Sequence, residues 1–424
     1  MKRFWISLIL LAVWIMPVLA AESKELVIWQ TYNGGAEMVL RNVAKDFQAK
    51  HPDIQLLVEK KTFDDLKTTV RLNLANNEGP DITIVNQGLN DMGILAQEGL
   101  VIPLDRYIAK YHWDKVLGSS MLRPNRFNVQ TMSIGDGPLY AISFYNEFNT
   151  VLYNKDLFKK ANINSIPTTM PQFEAVLKKL KKQRITPIVF GNSDTWPGIH
   201  IFQFIFNSYA SRQLIDDLVF ATGKAHWNIS PTLKAAKKLQ DWAKQGYFSN
   251  GYSGIGYDDS IKMFAAGQGA MLITGNWAIQ SAVQNSENSH NIGIFKAPTP
   301  IVFGAPSTGL GIAKKCKNPD LAAELLNDLI VDTRYHVANS ILPLIQGEGN
   351  VKTANELYNA QYPISQELTK KDALGYYFDW ATPTMYNTIS AAIQNLMAGR
   401  ISAAEFGKTL DQDYDAFLSK KIQK

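Results

Sequence analysis

Hydrophobic positions recur along this chain in two rhythms. Leu26-Val27-Ile28-Trp29 is a short apolar run that predicts a strand. Thr31 to Gly35 make a polar, glycine-bearing loop, after which Val39, Leu40, Val43 and Phe47 return at helical spacing. His51-Pro52 ends that helix, because proline disfavours helical geometry in the residue before it. Ile54, Leu56 and Val58 alternate as a second strand, and Leu66, Val70 and Leu74 mark a second helix. Gly79-Pro80 then punctuates, and Asp81 to Val85 predict a third strand. The order β, α, β, α, β predicts a mostly parallel sheet covered by helices.

The alternation continues. Phe173, Val176, Leu177 and Leu180 form a helical stripe, and Pro187 to Phe190 predict a strand. Further stripes run through Leu233, Ala236, Leu239 and Ala243, and through Leu321, Leu325, Leu326, Leu329 and Ile330. Ile389, Ile393 and Leu396 precede Gly399, a stop signal, and Ala403, Phe406 and Leu410 open a last helix. The chain carries no internal repeat and no long low-complexity linker. Two lobes joined by short direct crossings, a hinge geometry, fit that organisation.

The first residues change the picture by giving an address. Lys2 and Arg3 precede an apolar run from Phe4 to Leu19, and Val18-Leu19-Ala20 ends in small residues. This is the layout of a secretory signal, cleaved after Ala20, and the run is short for a membrane anchor. No cysteine stands at the cut site to accept a lipid, so a periplasmic, freely soluble protein is expected. Cys316 is the only cysteine, so an apolar core rather than an internal disulfide must stabilise the chain. The 43 Lys and Arg barely outnumber the 38 Asp and Glu, and no basic run with interleaved aromatics occurs, so no nucleic-acid partner is expected.

Several segments, in order, resemble the family 1 extracellular solute-binding proteins, the group that includes maltose-binding protein. They are Gly79-Pro80-Asp81-Ile82, Gly99 to Asp105, Leu139 to Ile142 with Val151 to Phe158, Pro167 to Glu174, Phe264 to Met271 leading to Gly275-Asn276-Trp277, and Ser402 to Leu410. Phe173 stands where that family carries a tryptophan. The resemblance implies an α/β, two-lobe periplasmic-binding-protein fold of type II, each lobe a mostly parallel sheet flanked by helices. It implies crossings near Ala141 to Phe148, Val302 to Thr308 and Leu342 to Gly349. The lobes would be 21–144 with 303–347, and 145–302 with 348–424. It also implies capture of a small carbohydrate, handed by cleft closure to the transmembrane subunits of an ABC importer, by a monomer with no cofactor and no metal.

Sugars present apolar C–H faces to aromatic rings and hydroxyls to polar side chains, so aromatics and amides in loops are the candidates. By resemblance Trp277, after a predicted strand, is a ligand-stacking ring, with core packing as the competing role. Asp194 and Trp196 lie in a polar loop after the Pro187 to Phe190 strand, where open α/β sheets bind ligands. Asn33 and Gly34 follow the first strand in the same way, and Asn86 and Gln87 the third; turn formation competes at each. Glu147, seven residues before Asn154, matches a polar contact in some family members. Tyr386, thirteen residues before Gly399, replaces the ring-stacking tryptophan of maltose-binding protein, and Trp380 is the alternative for that role. These loops are rich in amides and aromatics with one or two acids, which favours a neutral sugar or polyol over a polyamine. An enzyme is the rival class, but the chain has no Gly-x-Ser-x-Gly elbow, no phosphate loop, and six dispersed histidines.

Overall fold

The computed structural model describes residues 24–222, 225–345, 353 and 356–422; the signal-like residues 1–20 and the end of the third expected crossing lie outside these. The opening run folds as its pattern predicts: β1 Lys24–Gln30, α1 Gly34–Lys50, β2 Ile54–Lys60, α2 Phe63–Ala75 and β3 Ile82–Val85. Val39, Leu40, Val43 and Phe47 are all buried in the core. The Thr62 hydroxyl caps α2 by accepting the Asp65 amide at 3.1 Å. Asp64 and Asp65 fill the first turn, where free N–H groups favour negative charge.

The remaining strands are β4 Arg126–Asn128, β5 Ser133–Leu139, β6 Asn146–Asn154, β7 Met271–Gly275, β8 Ile292–Lys296, β9 Val302–Pro306, β10 Gly309–Ile312 and β11 Leu374–Gly375. β1 lies parallel between β2 and β3, and β10 adds antiparallel to β3, so the first sheet runs β10-β3-β1-β2. β6 is the spine of the second sheet, pairing antiparallel with β7, β8 and β9, while β11 adds parallel to β9. The mixed α/β, two-part architecture is as expected, but only the first sheet is mostly parallel; the second is mostly antiparallel, because its central strand β6 runs against all three of its neighbours.

The chain passes between the sheets in adjacent segments. Ile142 bridges Leu310 of the first sheet, and four residues later Asn146 pairs with Pro306 of the second. The return runs from β9 through Ser307 and Thr308 into β10. A third segment joins them where Tyr145 bridges Pro343 and the Asn146 amide donates to the Leu342 carbonyl at 2.8 Å.

Three local expectations change. Pro187 to Phe190 makes no regular strand: the Ile188 amide donates to Tyr247 and the next, Val189, to Met271, so successive residues bond different neighbours and no ladder propagates. Trp196 is the first residue of a helix, Trp196–Phe206, rather than a loop residue. Gly34 and Gly35 open α1 instead of extending the preceding loop. Cys316 is buried, and burial pushes its thiol up to about 12, out of reach of thiolate chemistry. Among the described residues no helix is long and apolar enough to cross a membrane.

Candidate functional site

The segments leaving the carboxyl ends of β1, β2 and β3 converge on one cavity, bringing Asn33, Asn86 and Gln87 from loops and Asp64 from the first turn of α2 to its wall. The second sheet contributes the opposite wall, and the crossings supply Tyr145, Glu147 and Thr308 between them. The cavity encloses about 570 Å³, inside the span usual for small-molecule sites.

Aromatic rings form much of the second wall. Trp277 follows β7 in a short 3-10 turn and remains partly exposed. Its indole nitrogen donates to the Tyr257 hydroxyl at 2.7 Å, and that hydroxyl lies 2.8 Å from the Thr274 hydroxyl. The Tyr257 ring is in turn 4.3 Å from that of Trp196. His200, one helical turn after Trp196, sets its ring edgewise to Trp277 at 5.9 Å. Burial holds this imidazole down to about 3, so it stays neutral and acts as a ring.

Trp196 and Asp194 owe their positions to a strained link. Thr195 has φ 64 and ψ −39, and the Trp196 amide donates to the Asp194 carbonyl at 2.8 Å, the mark of a tight positive-φ γ-turn. The Asn192 side chain secures the turn by accepting the Gly198 amide at 2.7 Å. The Asp194 carboxylate accepts the Tyr257 amide and so ties two helix starts together.

Glu147 lies at the floor, 8% exposed, where the Tyr145 hydroxyl donates to it. Burial raises this carboxyl to about 7 despite that hydrogen bond. Its charge is also felt by Tyr32, Tyr257 and Tyr377, all pushed up first by burial. Asp379 is likewise raised to about 6 by burial, with Lys67 opposing.

The structure brings Asn33, Asn86, Gln87, Glu147, Asp194, Trp196, Trp277, Trp380 and Tyr386 to this one cavity. Their availability differs. The Asn33 amide reaches across the cleft toward Asp258 at 3.5 Å. Asn86 donates to Asp91 at 3.0 Å. The Gln87 amide is committed to the Pro306 and Ser307 carbonyls at 3.2 and 2.9 Å, so it braces the crossing. Trp380 is 2% exposed and packs on Tyr376 and Tyr377. Tyr386 is partly exposed, but the Lys67 ammonium stands 3.5 Å from its ring centroid. Gly34 does not border the cavity: a β-carbon there would meet Gln280 and Ser281 at 3.0 Å, so it permits close approach of the helix Ile279–Gln284.

Sequence reasoning missed Asp64, His200, Tyr377 and Asp379. Asp64 follows β2 just as Asn33 follows β1, so the strand-end rule extended to the second strand finds it. The acids are also more numerous than the one or two read from the loops: Asp64, Glu147, Asp194, Asp258, Asp259 and Asp379 all border the cavity. That removes the charge argument for a neutral solute.

A family model described as bacterial extracellular solute-binding protein matches residues 38–330. An uncharacterized ABC transporter extracellular-binding protein of Pyrococcus horikoshii is 25% identical over 269 residues, 62% of this chain and 58% of that protein. The match therefore spans less than two thirds of that relative's length. The multiple sugar-binding protein of Streptococcus mutans is 22% identical over 310 residues, 70% of each chain. Among solved structures, a chitin oligosaccharide binding protein superposes with a TM-score of 0.78 at 20% identity, over 94% of this chain and 100% of that one, a likeness of fold.

Proposed function

Because the chain belongs to the bacterial extracellular solute-binding proteins, we propose that it captures a small carbohydrate outside the cytoplasm and delivers it to an ABC-type import permease. The observation that carries this reading is that Trp277 and Trp196, both partly exposed, border the same cavity as the hydroxyls, amides and carboxyls of Thr31, Asn33, Asn86, Asp64 and Asp194. Rings take the C–H faces of a sugar, and the polar rim takes its hydroxyls.

The protein performs no bond chemistry in this account. The two lobes, 21–144 with 303–347 and 145–302 with 348–424, swing about the three crossings. Closure takes the ligand out of water, where each hydrogen bond strengthens. Micromolar affinity needs about 8 kcal/mol net, within reach of two rings and several satisfied polar contacts. Since ligand favours the closed form, the permease reads loading from shape. The secreted monomer has lost its signal after Ala20.

A thermal-shift panel of mono- and oligosaccharides, polyols and polyamines tests the reading. A ligand at about 100 times its dissociation constant stabilises by about 2.7 kcal/mol. A saccharide should produce that shift and be recovered unaltered. Turnover of the saccharide, or a shift with none of the saccharides, overturns the reading.

A further inference from the structure

Five of the cavity's carboxyl groups, Asp64, Glu147, Asp194, Asp258 and Asp379, have no ammonium or guanidinium nitrogen within 4.0 Å among the described residues. Asp259 alone is paired, with Lys262 at 2.9 Å. The two lysines on the wall are paired with acids that do not line the cavity: Lys60 with Glu37 at 2.7 Å, and Lys61 with Glu59 at 2.9 Å and the Trp29 ring. The first turns of their helices offset part of the charge on Asp64 and Asp258, and the Tyr257 amide part of that on Asp194. The remainder faces the cavity.

These acids oppose one another. Burial raises Asp64, Asp258 and Asp379 first and Asp194 adds to the rise of the first two, while Lys67 opposes it at Asp64 and Asp379 and Lys60 at Asp258. A cleft lined with one sign of charge concentrates the opposite one. Tyr377, on the cavity wall and 9% exposed, carries a buried hydroxyl with no hydrogen-bond partner among the described residues. The charge is not gathered for a metal ion: among the described residues no three His, Cys, Asp or Glu side chains converge. It is spread around an organic-sized space whose rings also favour cations.

We infer that the cleft, with five carboxyl groups that make no ion pair among the described residues set around the Trp196, Trp277 and Tyr257 rings, selects a saccharide bearing a protonated amine over its neutral counterpart. This rests on the carbohydrate reading above and narrows its ligand class. The amine answers the acids, and the sugar faces answer the rings.

Calorimetric titration of the secreted chain with matched pairs tests it. The probes are glucosamine against glucose, galactosamine against galactose, and the β-1,4 glucosamine dimer against cellobiose, at pH 7 and low ionic strength. Spermidine serves as a cation without sugar hydroxyls. The amino member of at least one pair should bind about tenfold tighter or better, with the gap narrowing in 0.5 M salt. Asp64→Asn and Asp379→Asn should each remove most of that advantage, with the apo melting transition confirming that both variants fold. If neutral members bind as tightly as amino ones, the inference falls and the carbohydrate reading stands. If spermidine binds while every saccharide fails, or nothing binds, both fall.

Discussion

The Trp277 indole folds back over Gly275, occupying the space where a side chain at position 275 would stand: a β-carbon there falls 1.8 Å from the ring carbon Cζ3. Gly275 has φ −78, so backbone strain is not the reason for glycine; the absent β-carbon is. Gly275→Ala should push the ring off its seat. The expected cost is about 1–3 kcal/mol of stability from overpacking, together with loss of ligand binding. Melting and titration of the variant check both; a variant that binds normally removes Gly275 from the account.

The Trp277 nitrogen fixes the ring's angle through Tyr257. Tyr257→Phe deletes the acceptor while keeping the ring and should cost about 1–3 kcal/mol in stability. Affinity should fall less than in Trp277→Ala, where the ring itself is lost. Equal losses in titrations of the two variants would mean that the Trp277 ring makes no contact of its own.

Glu147 gives the apo protein a distinct pH signature. Its folded pKa is about 7 against an ordinary 4.5, so the folded state binds the proton more tightly. That contribution is complete below about 4.5 and disappears as pH rises through 7. Tyr32, Tyr145, Tyr257 and Tyr377, the titratable groups whose coupling to it is resolved, are raised above this window and do not titrate in it. Wild-type melting temperature should therefore decline from pH 5 to pH 8 more steeply than that of Glu147→Gln. Identical slopes would contradict the burial of this carboxyl.

Lys67 projects from α2 over the Tyr386 ring on the helix Met385–Met397, and so links the two halves across the cleft. A partly desolvated contact of this kind contributes about 0.5–2 kcal/mol. Lys67→Met should enlarge the open population of the unliganded protein, seen as a larger radius of gyration in solution scattering. An unchanged apo radius would show that the contact does not hold the halves together.

The βαβαβ opening was legible because strand runs and helical stripes there are long and cleanly separated. The strand-end rule was equally legible, and it led to Asn33, Asn86 and Gln87. It could not tell that the Gln87 amide is spent on the Pro306 and Ser307 carbonyls, because those lie more than two hundred residues away. Trp196 read as a loop residue because its helix begins abruptly after a positive φ at Thr195, which no side-chain preference signals. The acidity of the cleft was hidden for a similar reason. Asp64, Glu147, Asp194, Asp258 and Asp379 come from separate segments, and only the folded chain gathers them.

The central claim is that a saccharide sits between the lobes with Trp277 against its C–H face. A crystal structure of the protein with the saccharide that gives the largest thermal shift tests this most directly. The account predicts that sugar inside the cleft, its carbons in van der Waals contact with the Trp277 ring and its polar groups within hydrogen-bond distance of Asn33 or Asp194. A sugar bound elsewhere, or one in the cleft that leaves the Trp277 ring untouched, would contradict it.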